Sequence, residues 1–392
     1  MIFKSSSQLS PNVNVSIDNV PVDYLSLQRI TVELKENMHD MVVLDFAGLD
    51  PETMHLFIDA AVTLNISMPL QNTNEYTFHG YIIYLEPFSS TKMGTVNGSP
   101  FQLTRVFCLG PSYRMKGLKS SVHENKTLAE IATELAAKYK FSLSVPNDTY
   151  RFPRLVQSAE SDWSFLVKAS NRLGYNLMVT GSHIHIWDPY MAIARNSSYS
   201  VLYTIRGTRG DVHPLPGQIL KFDGRIGNVS PDGARSTDTI HTLDSSGNIL
   251  SVGNLNSQDT SSLGTPVQSA FTNVLNWNAD SYETASKLVE GVLRRKFPMT
   301  ASVDVVADPS ITPGGIVNLK EYNAQFDGYW YVRGVRHELT QHVMATYLDL
   351  AKDSLDGIQT SPINMEPFKT PPETALIHGD WVSTKDMINV YS

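Results

Sequence analysis

Thr127-Leu-Ala-Glu-Ile-Ala-Thr-Glu-Leu-Ala-Ala-Lys-Tyr139 lies inside Glu124–Pro189, the stretch whose reading decides how the chain is divided. Thr127 and Glu130 form a capping-box pair, in which the threonine caps the helix start and the glutamate reaches back. Leu128, Ile131, Ala132, Leu135, Ala136 and Tyr139 then recur on one face of a 3.6-residue period. Phe141–Val145 alternates as a strand. A second helix opens near Ser161-Asp162, with Trp163, Leu166, Val167 and Leu173 on one face and Gly174 at its C′ position. Tyr175–Val179 and His183–Trp187 read as a hairpin around Gly181-Ser182. The stretch is a compact α/β unit with no obvious catalytic group, which points to packing and recognition.

The flanks on both sides are β-rich. Before the unit, Asn12–Ile17, Leu25–Leu34, Met41–Phe46, Val62–Met68, Tyr76–Leu85 and Phe101–Leu109 are short strand-like runs, and Ser89–Ser99 reads as a break. Their spacing suits a small barrel or sandwich. After it, Val303–Val306, Ile316–Tyr322, Tyr329–His337 and Val343–Leu350 supply four strands. Asp280-Ser-Tyr-Glu283 opens one inserted helix, over about 280–296, with Arg294, Arg295 and Lys296 at its C-terminus. Residues 207–269 are rich in Gly, Ser, Asp and Asn and match no pattern. The expected class is α+β, β-rich. Its domains are a first barrel at 1–110, the α/β unit at 111–190, a second barrel at 191–355 and an extended tail at 356–392. Pro362, Pro367, Pro371 and Pro372 mark that tail.

Composition narrows the function classes. The chain has 392 residues, 41% of them hydrophobic and 18% charged, so it can bury sizeable cores. A net charge of −8 argues against a nucleic-acid binder that works by neutralising phosphates. The lone Cys108 excludes an internal disulfide framework and reads as a buried strand residue. The sequence has neither a signal-peptide pattern nor an apolar run long enough to span a bilayer, so no membrane insertion is expected.

Candidate chemistry is weak wherever it is sought. His337-Glu-Leu-Thr-Gln-His342 fails the zinc-protease spacing, because the two histidines are five apart in a β-alternating segment. His183 and His185 share one strand face without a completing ligand set, and a solvated face is the expected setting. Ser89-Ser-Thr-Lys92 matches a nucleophile motif but falls in a predicted loop without its companion motifs. Trp163 and Phe165 could form a sugar-stacking platform, but their place on an apolar helix face predicts a core role. Paired carboxylates for glycan cleavage are not identifiable in the sequence. No catalytic, cofactor-binding or metal residue is assigned, and no cofactor is expected.

The order of these parts resembles the baseplate hub family of contractile phage tails. That family includes the late-control D protein of temperate phages, the T-even phage hub and the N-terminal part of the VgrG spike of type VI secretion. The residues that carry the resemblance are Gln157, Glu160, Ser161, Asp162, Trp163, Phe165 and Leu166, followed by Gly174-Tyr175. Pro313-Gly-Gly-Ile-Val-Asn-Leu319 and Gly328-Tyr-Trp-Tyr-Val-Arg-Gly-Val-Arg-His337 add to it, over roughly 12–355. The helix at Thr127–Tyr139 is similar to the first helix of a LysM-like fold.

The resemblance implies a homotrimer with two tube-type β-barrels per chain, forming a ring between a hexameric tail tube and a trimeric central spike. It implies a virion structural protein without enzymatic activity, located in the tail baseplate and assembled in the host cytoplasm. Implied partners are the tail tube or a tube-initiator protein, a separate central spike, baseplate wedge proteins and a tape-measure protein. The spike is expected to be separate because the sequence lacks the neck and needle of VgrG. A channel for genome passage needs no sequence-specific nucleic-acid binding. The alternative is a cell-wall-binding or peptidoglycan-cleaving tail protein.

Overall fold

The computed structural model describes residues 12–22, 27–47, 58–67, 75–96, 99–189, 202–207, 218–226, 240–243, 249–252, 274–278, 297, 299–306, 308–322, 326–340, 344–352, 374–377 and 380–383. The first β region holds β1 (Asn12–Ile17), β2 (Val20–Pro21), β3 (Leu27–Lys35), β4 (Met41–Ala47), β5 (Ala61–Ser67), β6 (Glu75–Val96) and β7 (Ser99–Leu109). A period of two sets their faces. Val42, Leu44 and Phe46 of β4 and Val62, Leu64 and Ile66 of β5 point into one core, with Val32 and Cys108 beside them. Asp18 and Asn19 take the left-handed backbone, φ 48° and 65°, which makes the tight turn from β1 into β2. Ser89–Ser99 does not break the hairpin as its composition suggests. β6 continues to Val96 and pairs Ser89 with Gln102 and Val96 with Ser99, because a ladder partner overrides weak local propensity.

A 3-10 turn at Pro111–Lys116 leads into the α/β unit. This unit contains β8 (Leu118–Thr127), α1 (Leu128–Tyr139), β9 (Ser142–Ser144), β10 (Arg151–Ser161), α2 (Asp162–Arg172), β11 (Asn176–Thr180) and β12 (His183–Trp187). The capping box is complete. Glu130 N donates to Thr127 Oγ1 at 3.1 Å, and Thr127 N donates to Glu130 Oε2 at 2.8 Å. Ser161 caps α2 by accepting from Ser164 N at 3.0 Å, and Gly174 has φ 80° just past its end. The quoted helix-start motif now has a physical reason. Asp162 is buried, and Gln157 Nε2 (2.9 Å), Tyr139 Oη (2.6 Å) and Lys138 Nζ all donate to it. Burial opposes its charge, but these donors overcome that and hold its pKa below the ordinary carboxylate value. The start of α2 is thereby tied to the last turn of α1, over a core that includes Ile131, Leu135, Phe165, Leu166, Leu177 and Ile184.

Sequence patterning missed the β8–β10 ribbon. In β8 only His123 is buried, and the pairing register shifts between Gln157 and Glu160, where Ala159 has φ 47°. β10 buries Phe152, Leu155 and Gln157 at uneven spacing, so neither strand of the ribbon shows a period of two along its length.

The second β region holds β13 (Leu202–Arg206), β14 (Ile219–Ile226), β15 (Ile240–Leu243), β16 (Ile249–Val252), β17 (Val274–Asn278), β18 (Met299–Val306), β19 (Ile316–Lys320), β20 (Gly328–Thr340) and β21 (Met344–Lys352). Its core includes Ile205, Val303, Val317, Trp330, Val332 and Leu350. β15, β16 and β17 form a separate three-stranded sheet. The helix expected at 280–296, with Arg294 and Arg295, lies outside the described residues. So do the prolines of the tail. Within the tail, β22 (Thr374–Ile377) and β23 (Asp380–Ser383) pair as a hairpin, and β22 runs beside β9 of the α/β unit.

The class is β-rich α+β, as the sequence predicts, but a closed barrel is not found among the described residues. Instead the strands of both regions join in one 13-stranded sheet, ordered β14-β18-β21-β20-β3-β4-β7-β6-β5-β1-β2, with β19 on β20 and β13 on β19. The seam is β20 against β3, antiparallel from Gly334–Lys35 to Thr340–Arg29. β20 is 13 residues long, and only its first part, Gly328–Tyr331, pairs with β19. Its far half offers an edge to β3, and there Leu339 enters the first core. In the second region a single parallel bridge, Arg206 to Gln218, links β13 to the entry of β14. Periodicity tells which face of a strand is buried. It does not tell which strand lies alongside.

Candidate functional site

The turn between β3 and β4, Glu36–Asp40, meets both other parts of the fold. Glu36 is buried among donors from two of them. Its Oε2 accepts from Asn176 Nδ2 of β11 at 2.5 Å and from Tyr331 Oη of β20 at 2.8 Å. Its Oε1 accepts from Arg333 Nε at 3.0 Å. Tyr331 Oη also receives Trp187 Nε1 of β12 at 2.8 Å. One carboxylate and one phenol thus hold the first β region, the α/β unit and the second β region at a single point. A small apolar cluster of Met178, Trp187, Ile316, Tyr331 and Ala351 packs around it.

Asn37 has φ 63°, a left-handed conformation that asparagine tolerates better than most residues. This aims its amide at β11. Its side chain accepts from Leu177 N at 3.0 Å and donates to Asn176 Oδ1 at 2.9 Å, while its backbone N donates to the Leu177 carbonyl at 2.8 Å. His39 stacks on Trp163 with ring centroids 4.6 Å apart, and its Nδ1 lies 2.7 Å from Ser112 Oγ. Burial pushes the His39 pKa down to about 4. Asp40 points the other way, toward the first core. Its Oδ1 meets no hydrogen-bond partner among the described residues, and burial pushes its pKa up to about 8.

The ion pair at this point joins a buried carboxylate, Glu36, to a guanidinium that is partly exposed, Arg333. Burial works against the Arg333 charge, but the adjacent Glu36 carboxylate overrides it, and the pKa lies above its ordinary value. Burial and then the Glu36 charge push the Tyr331 phenol well above its ordinary pKa. Tyr331 therefore stays a donor at any working pH. Nearby, Gly314 has φ 85°, and a Cβ on it would lie 3.1 Å from Trp187 Cε2, so the tight turn and the indole require glycine there.

The residues weighed from sequence do not gather at this point, apart from Trp163. His337 is buried in β20 with Nδ1 2.9 Å from Thr346 Oγ1, and burial pushes its pKa down to about 4. His342 lies outside the described residues. His183 is not on a solvated face. It is buried, between Ser142 Oγ at 2.5 Å and Ser144 Oγ at 2.7 Å, because β9 adds parallel to β12 and covers it. Ser89–Lys92 belongs to β6 rather than a loop. Phe165 is core, and Trp163 is core on one side and a contact to His39 on the other. Cys108 is buried, with its thiol pKa pushed up to about 12. No cluster of three or more metal-ligating side chains occurs among the described residues. No helix among them is long and apolar enough to cross a membrane. In the sequence alone the junction residues Glu36, Asn37 and Asn176 have no assigned role, and Tyr331 enters only within the Gly328–His337 stretch. The signal that could have found the first two is the turn composition of Glu36-Asn37-Met38-His39-Asp40 between two strand-like runs.

No protein-family model matches the sequence, and no curated protein matches it. Solved structures do match the fold. A tail protein from Neisseria meningitidis MC58 aligns with a TM-score of 0.61 at 12% identity, over 89% of this chain and 98% of its own. The 43 kDa tail protein of prophage MuSo2 from Shewanella oneidensis gives 0.55 at 10% identity, over 88% and 98%. An E. coli component of the type VI secretion system, described as similar to the T4 tail proteins gp27 and gp5, gives 0.54 at 11% identity, over 87% and 77%. The chain has the fold shared by these phage-tail and type VI secretion proteins.

Proposed function

We propose that the chain is a non-enzymatic structural hub of a phage tail baseplate. Three copies form a ring that joins the hexameric tail tube to a trimeric central spike and leaves a channel for the genome. In this reading the protein resides in the virion tail after assembly in the host cytoplasm. It contacts the tube or a tube initiator, a separate spike protein, wedge proteins and the tape measure. The observation that carries the reading is the Glu36 junction. Its polar groups are spent on one another, across three parts of the fold. Such a site fixes the relative placement of the sheet and the α/β unit, which an adaptor between two assemblies requires. The net charge of −8 supports a channel to which DNA does not adhere.

Electron microscopy of the purified chain at micromolar concentration tests the reading. Rings with a central hole are the expected images. A field of separate compact particles with no hole would contradict it.

A further inference from the structure

β9 (Ser142–Ser144) is the last strand of the small sheet β11-β12-β9, and among the described residues it is in a ladder with β12 alone. Its register fixes where its backbone groups point. Ser142 is opposite His183, and Ser142 N donates to the Ser182 carbonyl at 2.8 Å. Successive residues of a strand turn their N–H and C=O to opposite sides. Ser142 and Ser144 therefore address β12, and Leu143 addresses the other edge. Leu143 is only 1% exposed. A backbone N–H and C=O enclosed to that degree require partners.

The tail brings a strand to that edge. β22 has Cα atoms within 8 Å of both β9 and α1. Stacked sheets stand about 10 Å apart and neighbouring strands about 4.8 Å, so β22 lies beside β9 rather than over it. The other side of β22 is taken by β23, with Ile377 opposite Asp380 and two residues between them. In such a hairpin the closing pair exchanges both hydrogen bonds and the next pair exchanges none. Ile377 and Ala375 therefore address β23, while Leu376 and Thr374 turn their N–H and C=O to the opposite edge.

We propose that the C-terminal segment of this chain completes the sheet of the α/β unit. β22 adds to the β9 edge, and the backbone groups of Thr374 and Leu376 meet those of Leu143. The sheet then runs β11-β12-β9-β22-β23. The occupant is the chain's own tail. Residues 353–373, which link β21 to β22, reach about 70 Å when extended, enough to cross from the second β region. The α/β unit is thus fastened to that region a second time, at the edge of its sheet opposite Asn176. This docking needs one copy only and does not depend on the ring.

Amide hydrogen exchange resolved to single residues, in the full chain, provides the test. Proline cannot sit in a strand that is paired on both sides. Leu376→Pro should speed exchange at the Leu143 amide by about tenfold or more, while the Ser142 and Ser144 amides, which address β12, keep their rates. Thr374→Pro strikes the same edge of β22 and should have the same effect, so the result does not hang on one variant folding. Ser383→Pro, on the far edge of β23, should leave Leu143 as it is in the parent. Unchanged protection of Leu143 in both β22 variants would overturn the proposal. Equal acceleration at Leu143, Ser142 and Ser144 would show general loosening and would overturn it too. Protection that is lost on dilution would mean that the strand comes from another copy, and the assignment to the chain's own tail would fall.

Discussion

Glu36→Ala is expected to destabilise the chain by about 3 kcal/mol, because it removes the acceptor that Asn176, Tyr331 and Arg333 share. Breaking a buried pair costs about 3–5 kcal/mol when the surviving charge is fully enclosed. Arg333 remains 33% exposed at its side chain, so water takes up part of its charge and the lower end applies. Tyr331 and Asn176 are enclosed and have no such relief. The loss falls on the contacts among the three parts of the fold, so their separate cores should survive. Urea denaturation followed by tryptophan fluorescence would show an early phase at Trp187, which bonds Tyr331, before the main transition. Glu36→Gln keeps an acceptor and should lose less. Equal stability of the alanine variant and the parent would mean that the junction holds nothing in place.

Asp40→Asn is expected to stabilise the protein by an amount that grows as pH rises from about 4 to about 8, and to leave it almost unchanged in stronger acid. The folded pKa of Asp40 is about 8, against an ordinary 3.8. A carboxyl raised in this way binds more protons folded than unfolded between those two values, so its contribution to stability falls as pH rises through that window and is level above it. Each unit of pKa difference is about 1.4 kcal/mol, which places the penalty on the order of a few kcal/mol at pH 8. The amide matches the neutral carboxyl in shape and never ionises. Tyr76 is the group whose own pKa registers the Asp40 charge, and its buried phenol is raised as well. His39, next in sequence, has its pKa at about 4 and stays neutral across the window. Denaturation midpoints at pH 4 and pH 8 would check the outcome. A variant that gains equally at both values would show that Asp40 does not titrate with folding.

Local grammar in the sequence was readable. Thr127 with Glu130, Ser161 before Asp162, and Gly174 after α2 each act within a few residues, and each stands where the spacing places it. The strands β4, β5 and β21 were readable because one face is apolar and the other is not. What escaped depends on distance along the chain. Glu36 and Tyr331 are 295 positions apart, and nothing local to either announces the other. The β3–β20 seam escaped for the same reason. His183 looked solvated because the parallel addition of β9, which encloses it, comes from 39 to 41 positions earlier in the chain. The ribbon of β8 and β10 has almost no apolar alternation to betray it.

The central claim is that this chain works as three copies closed on themselves. Its mass in solution, measured by mass photometry or by sedimentation at micromolar concentration, tests that claim most directly. One chain is 43.5 kDa, and the account predicts a single species of about three times that mass, unchanged by further increases in concentration. A stable single-chain species that persists at high concentration, or a series growing without limit, would contradict it.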